Sequence, residues 1–136
     1  MKKSLKIGLG VGLALLTIYT IKQRFNDTPK LFYIKGSKNG RFSGITIPPF
    51  GIFANKNIIG DNFNPEEQFR IHEGVHWKQF QKLGLLGFYY NYLKDYFKNG
   101  SKYRNNPMEQ EAYIVAKQVK KINPNIKPTN YSGLLI

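Results

Sequence analysis

The sequence predicts an α+β fold in which one apolar N-terminal helix precedes a small sheet of short strands and three further helices. Three observations predict this fold in a chain of 136 residues. An uncharged apolar run lies near the N-terminus, short apolar segments separated by turns follow it, and the later part carries apolar residues at helical spacing. A chain of this length is expected to form one domain beyond the leading helix.

The composition limits the chemistry that the chain can perform. It contains no Cys, so disulfide frameworks, thiolate zinc sites and Cys nucleophiles are excluded. The net charge is +13, but five of the 21 Lys and Arg flank the N-terminal run, so 16 face the 8 Asp and Glu of the remaining chain. These basic residues are scattered without a basic run, and we therefore expect no specific nucleic-acid binding.

Residues 1–25 are predicted to form a single-pass membrane anchor. Residues 7–21 are uncharged and would span about 22 Å as a helix, which is shorter than a bilayer core of about 30 Å. Lys6 and Lys22 can extend toward the headgroups and Tyr19 can lie at an interface, which makes a short span sufficient. The alternatives are a buried soluble helix and a cleaved signal peptide, which would make the protein secreted. Lysines on both sides leave the orientation open.

Residues 26–136 are predicted to form the domain, with residues 26–30 as a linker. Apolar or alternating runs are separated by segments rich in Gly, Pro and Asn, which is typical of strands joined by turns. The predicted strands therefore cover 31–35, 41–47, 51–54 and 57–60.

The first helix after the sheet is predicted to begin at Pro65. Asn64 can cap it, Pro65 suits the first helical position, and Glu67 completes a capping-box pattern. Gly84 is expected to end this helix.

Two more helices are predicted. The second covers 85–98 and presents an aromatic stripe for core packing, formed by Phe88, Tyr89, Tyr92 and Tyr96. The third begins at Asn106-Pro107 and runs to about residue 122, with a buried seam of Met108, Ala112, Val115, Val119 and Ile122.

An H-E-x-x-H motif lies in the first of these helices, at His72, Glu73 and His76. Residues four apart share a helical face, so the two imidazoles can bind one ion at about 2.0–2.1 Å. Glu73 lies beside them, where it can accept the proton of a water molecule activated by the metal. Trp77 and Gln79 are expected to pack against and support the motif. The chain has only two His, so chance explains the pattern poorly, and the alternative is a packed His pair with an incidental Glu.

A catalytic zinc site needs a third protein ligand and an open position for water. Without another His or a Cys, this ligand must be Asp or Glu, and Glu109 and Glu111 lie on a separate later helix. Glu109 shares a face with Ala112, whose small side chain allows close approach to the motif, whereas Glu111 points about 200° away. Glu109 is the preferred ligand, but it could instead complete a capping box begun by Asn106. In that case Glu111 would bind the metal.

The H-E-x-x-H motif followed by an E-x-x-A helix resembles the gluzincin metallopeptidases, in which two His and a downstream Glu hold zinc. The resemblance extends from about residue 65 to 116 and implies a minimal zincin-like domain. It implies His72, His76 and Glu109 as zinc ligands and Glu73 as general base. The segments GLLGFYY and NPMEQEA also resemble those of small H-E-x-x-H proteins. The large substrate-binding subdomains of gluzincins have no counterpart here, since 32 residues separate His76 from Glu109.

This resemblance implies a zinc-dependent metallopeptidase that acts on peptides or proteins. Tyr103, Tyr113 and Arg104 are candidates to stabilise the oxyanion, and a strand near 58–60 is a candidate edge for an extended substrate. One alternative is a membrane-anchored structural or binding protein whose metal site only stabilises a small core. Another is a basic protein that binds nucleic acid or a lipid surface. Two His and one carboxylate also suit iron(II).

Overall fold

The computed structural model describes residues 2–36, 42–59 and 65–116. The chain has the predicted α+β layout, with an apolar N-terminal helix, a three-stranded sheet and helices after it. A 3-10 turn at Tyr103–Asn105 precedes the last helix. The elements are α1 (Lys2–Arg24), β1 (Leu31–Ile34), β2 (Gly44–Ile47), β3 (Gly51–Asn55), α2 (Lys56–Ile59), α3 (Pro65–Lys98) and α4 (Pro107–Val115).

Strand β3 lies at the centre of the sheet. It runs parallel to β1 and antiparallel to β2, with Thr46 opposite Ile52. A tight turn joins β2 to β3, in which the Phe50 amide donates to the Ile47 carbonyl at 2.9 Å. Ile52 is buried together with Ala54 and Phe69, so the sheet packs against the start of α3.

The prediction of a strand at 57–60 is wrong, because residues Lys56–Ile59 form the short helix α2. The Asn55 side chain accepts a hydrogen bond from the Asn57 amide at 3.1 Å. Such a bond from an Asn side chain competes with strand pairing and begins a helical turn. The candidate substrate edge near 58–60 is therefore also wrong, and residue 60 lies outside the described residues.

Helix α3 contains two of the predicted helices, joined at Gly84. This glycine has φ 75° and ψ 176°, a conformation that breaks the helix and that glycine adopts without a Cβ penalty. We call residues 65–83 the motif half and residues 85–98 the aromatic half. The predicted helix end at Gly84 is confirmed as a break, although the chain continues as a helix on its far side.

The main core lies between the two halves of α3 and α4. Its buried side chains are Trp77, Phe80, Phe88 and Met108. Asn106 caps α4 by accepting from the Met108 amide at 3.0 Å, as predicted. Ala112 of the predicted seam is also buried. Val119, Ile122 and the predicted Asn64 cap lie outside the described residues.

Helix α1 is long and apolar enough to be a membrane anchor or a signal sequence, and none of its most apolar stretch is buried. Its C-terminal end contacts α3. Arg24 Nε donates to the Gln81 carbonyl at 2.8 Å, and its Nη2 donates to the Lys82 carbonyl at 3.0 Å. These carbonyls belong to the last turn before Gly84, where helical partners are missing. Arg24 therefore caps the motif half.

Asn26 and Asp27, predicted to begin a linker, are fixed against the motif half. The Asn26 carbonyl accepts from Trp77 Nε1 at 2.8 Å and from Gln81 Nε2 at 3.0 Å. Lys78 Nζ lies 3.1 Å from Asp27 Oδ1. The pKa of Asp27 is lowered by its hydrogen bond from Gln81 and by Lys78. The junction between the N-terminal helix and the domain is thus an ordered contact.

Candidate metal centre

The two histidines and Glu109 meet in the interior. His72 Nε2 and His76 Nε2 are 3.3 Å apart, and Glu109 Oε2 lies 3.1 Å from the first and 3.2 Å from the second. Three atoms about 2.0–2.1 Å from one tetrahedral ion would be separated by about 3.3 Å. By their spacing and chemistry the three donor atoms could therefore hold a metal ion.

Glu109 reaches this cluster from the first turn of α4. Its Oε2 faces the two histidines, and its Oε1 accepts from the Tyr92 hydroxyl at 2.7 Å. The Glu109 carboxylate therefore contacts both histidines, and the cap of α4 is formed by the Asn106 side chain. Glu111 points elsewhere and accepts from Gln79 Nε2 at 3.0 Å. Of the two carboxylates considered, the structure brings Glu109 to the histidines, and metal binding by this group stays a prediction.

His76 and Glu109 shift each other's pKa values. Burial lowers the pKa of His76, but the negative charge of Glu109 and its hydrogen bond outweigh burial and raise that pKa to about 9. Burial raises the pKa of Glu109, but the adjacent His76 and His72 hold it well below its usual range. In the metal-free protein a proton is therefore retained among these three groups, where a metal cation would replace it.

Gln79 orients the ring of His76. His76 Nδ1 donates to Gln79 Oε1 at 2.8 Å, which leaves Nε2 as the atom that faces the cluster and that binds a metal once its proton is displaced. Gln79 Nε2 in turn donates to the Met108 carbonyl and to Glu111 Oε2, both at 3.0 Å. Burial raises the pKa of Glu111. The predicted supporting role of Gln79 is thus consistent with its contacts.

The ring of His72 packs against an aromatic side chain, whereas that of His76 is held by a hydrogen bond. The His72 ring packs edge-on against Tyr113 with centroids 4.6 Å apart. Within the described part of the chain, its buried Nδ1 has no hydrogen-bond partner. A ring that carries its proton on Nδ1 presents the Nε2 lone pair to the cluster, as a metal ligand must.

Glu73 is buried beside the cluster and is held by strand β2. Its Oε2 accepts from the Thr46 hydroxyl at 2.6 Å. Glu73 adjoins His72 in the motif half, and its charge contributes to the raised pKa values of His76 and Tyr92. In the described residues the potential metal group has three members, His72, His76 and Glu109. Glu73 therefore stands next to the donor triangle without belonging to it.

The sequence did not predict that Thr46 faces inward and contacts Glu73. The apolar residues Ile45 and Ile47 predict that Thr46 faces solvent, because alternate strand residues point to opposite faces. The structure has the reverse, with Thr46 6% exposed and Ile45 44% exposed. The hydrogen bond to Glu73 explains why a polar side chain faces inward here.

Tyrosines form one wall of the site. Tyr92, predicted only as a packing residue, donates its hydroxyl to Glu109, and no sequence signal separates it from neighbouring Tyr89. Tyr103 and Tyr113 lie with ring centroids 6.3 Å apart. Burial and the charge of Glu109 raise the pKa values of Tyr92 and Tyr103, so both phenols keep their protons. The side chain of Arg104 lies outside the described residues.

The chain matches no protein-family model, and no curated protein and no solved structure is significantly similar to it. Two imidazole nitrogens and one carboxylate oxygen, beside a separately held carboxylate, form a donor set that catalytic zinc sites use.

Proposed function

We propose that the protein is a zinc-dependent metallopeptidase. The observation that carries this proposal is the convergence of His72 Nε2, His76 Nε2 and Glu109 Oε2 within 3.1–3.3 Å of one another, with Glu73 buried next to them. A zinc ion held by these atoms supplies Lewis-acid activation of a water molecule and of a peptide carbonyl.

Glu73 acts as the general base in this proposal. It accepts a proton from the water that attacks the scissile carbonyl and then donates that proton to the leaving amine. Thr46 fixes the carboxylate through Oε2. Tyr103 is half-exposed and stays protonated, so it serves as donor to the negative charge that develops on the carbonyl oxygen.

The peptide substrate is proposed to lie along the outer edge of β2. In the described sheet, β3 pairs with one side of β2 and leaves the other side as an edge. An extended peptide can add to such an edge through backbone hydrogen bonds. Because Thr46 connects β2 directly to Glu73, a peptide on this edge would pass next to the general base.

Helix α1 is proposed to be a retained single-pass anchor and not a cleaved signal peptide. Three contacts at its end support retention: Arg24 caps the motif half, Gln23 is buried, and the Asn26 carbonyl accepts from Trp77 and Gln81. Cleavage after Arg24 would remove the cap from the helix that carries both histidines.

The test uses the full chain in detergent, with zinc content and hydrolysis of a peptide library as readouts. We expect one zinc per chain and measurable hydrolysis for the wild type. Glu73→Gln should keep the zinc and lower the rate about 10²–10⁴-fold, because it removes only the proton acceptor. Retained zinc is the control for folding. An unchanged rate in Glu73→Gln would refute the proposed mechanism.

One observation favours a second candidate, a membrane-anchored structural or binding protein with a non-catalytic metal site. His72, Glu73, His76 and Glu109 are only 2–5% exposed, and structural zinc sites keep no coordination position open to water. Replacement of zinc by cobalt distinguishes a catalytic from a structural metal site. A catalytic site would change its cobalt absorption spectrum on addition of a hydroxamate, whereas a closed structural site would not.

A further inference from the structure

The aromatic half of α3 exposes a second apolar face. Leu86, Tyr90, Leu93 and Phe97 are 84%, 67%, 52% and 66% exposed. Their spacing of four, three and four residues places them on one stripe of the helix, which we call the exposed stripe. The other side of the same helix packs into the core through Phe88. A helix that faces water on one side normally carries polar residues there.

The exposed stripe begins next to the end of α1. Leu86 lies two residues after Gly84, at whose break Arg24 binds. The hydroxyl of Tyr89 donates to the Pro48 carbonyl at 2.6 Å, which joins the start of the aromatic half to the turn between β2 and β3. In that turn, half-exposed Phe50 stacks on Tyr19 of α1 with centroids 6.5 Å apart. The last turns of α1 therefore lie close to the start of the stripe.

The charges around the stripe suit an anionic surface. Lys94 and Lys98 are exposed on the same helix, and Lys94 Nζ lies 5.5 Å from the centre of the Tyr90 ring. Asp95 is the sole acidic residue of the aromatic half in the sequence, and it is buried. Aromatic and aliphatic residues flanked by lysines are typical of helices that lie in the membrane interface.

We propose that the aromatic half of α3 lies in the interface of the bilayer that α1 spans, with the exposed stripe at the boundary between headgroups and acyl chains. This inference rests on the proposal that α1 is a retained anchor. Two attachments would then fix the orientation of the domain on the membrane. Tyr92 of the same half contacts Glu109 of the metal centre. The metal centre would therefore act on peptide segments that lie close to the bilayer surface.

Site-directed spin labelling of the full chain tests this inference, since the absence of Cys permits single labels. Leu86→Cys, Tyr90→Cys, Leu93→Cys and Phe97→Cys are each labelled and reconstituted in vesicles of equal parts phosphatidylcholine and phosphatidylglycerol. Accessibility to oxygen and to a water-soluble nickel chelate is then measured. Exposed Ile71→Cys in the motif half, about 20 Å along the helix from Gly84, is the matched control. Leu13→Cys reports on α1.

We expect the four stripe labels to favour oxygen over the chelate, as Leu13→Cys does, and Ile71→Cys to favour the chelate. If the chelate reaches the stripe as readily as Ile71→Cys while Leu13→Cys is protected, the anchor is present and the interfacial inference is overturned. If the chelate reaches Leu13→Cys as well, the anchor proposal itself fails. Spin–spin broadening at the stripe that disappears on dilution with unlabelled chain would assign the stripe to contacts between copies and would also overturn the inference.

Discussion

The two halves of α3 differ in what they bury and what they expose. The motif half buries polar groups, His72, Glu73, His76 and Gln79, which contact α4 and β2. The aromatic half exposes apolar groups, with Leu86 as the extreme case. Each half contributes apolar side chains to the core, but each also departs from the usual distribution of a globular protein, in which buried polar and exposed apolar groups are the informative exceptions.

This contrast separates two kinds of function within one helix. Buried polar groups cost free energy unless they are paired or bind an ion, and in the motif half they are paired around the group for which we propose a bound metal. A run of exposed apolar groups indicates a partner outside the protein. Gly84 and Arg24 mark the boundary between them. If the contrast has this meaning, substitutions on each side should affect different measurements.

The largest expected effect is the loss of metal from the motif half. Glu109→Ala should reduce the zinc content of the full chain from about one per chain to almost none, because only two ligands remain. Glu111→Ala, two residues away and equally buried, should retain zinc with an affinity lowered by at most about tenfold, through its contact with Gln79. Metal analysis after dialysis measures both. Loss of zinc in Glu111→Ala alone would reverse the ligand assignment.

The second prediction concerns pH. Zinc binds the unprotonated imidazole, whereas His76 in the metal-free protein has a pKa raised to about 9. Below that pH each bound zinc must displace about one proton, so the apparent affinity should fall about tenfold for each unit decrease in pH. Between pH 8 and pH 6 we expect a change of about 100-fold. Competition titrations with a chromophoric chelator check this, and an affinity constant over this range would contradict the proposed proton retention.

The third prediction tests the contribution of the aromatic half to the metal centre. Tyr92→Phe removes the hydroxyl that donates to Glu109 Oε1 and should lower zinc affinity about 10–100-fold. Tyr89→Phe removes a hydroxyl that donates to the Pro48 carbonyl instead, and its zinc affinity should equal that of the wild type. Equal losses in both variants would mean that the effect comes from packing and not from the bond to Glu109.

The smallest expected effect lies at the boundary between the halves. Arg24→Met removes two hydrogen bonds to the carbonyls of Gln81 and Lys82 and should lower the free energy of unfolding by about 1 kcal/mol. Lys22→Met removes a positive charge from the same helix without touching those carbonyls and serves as the control. Urea unfolding, followed by the fluorescence of the single Trp77, measures both variants. Equal stability of the two would show that the cap contributes nothing.

The sequence predicts the parts of the structure that depend on local spacing. Helical periodicity places His72 and His76 on one face, and the Asn106-Pro107 pair marks the start of α4, so Glu109 could be proposed as the third donor. Gly84 signals the break because few other residues adopt its dihedral angles. These features follow from one helix at a time.

Features that depend on contacts between distant segments could not be predicted. Thr46 faces inward because of Glu73, which is 27 residues away, and the alternation of its neighbours predicts the opposite. Tyr92 reaches Glu109 across 17 residues. Residues 56–59 are a different case, because a local bond from the Asn55 side chain begins α2 although their apolar pattern is typical of a strand. In so short a segment a local side-chain bond is enough to override strand preference.

The bond between Arg24 and Gln81 also has a consequence for biosynthesis. The two residues are separated by 57 positions, so Arg24 leaves the ribosome before its partner. As the anchor proposed above, α1 would enter the membrane while the sheet is still being synthesised. The cap then forms only when the motif half emerges. The metal centre would be completed later still, when Glu109 emerges, so under the anchor proposal we expect the metal to be acquired in the compartment that faces the finished domain.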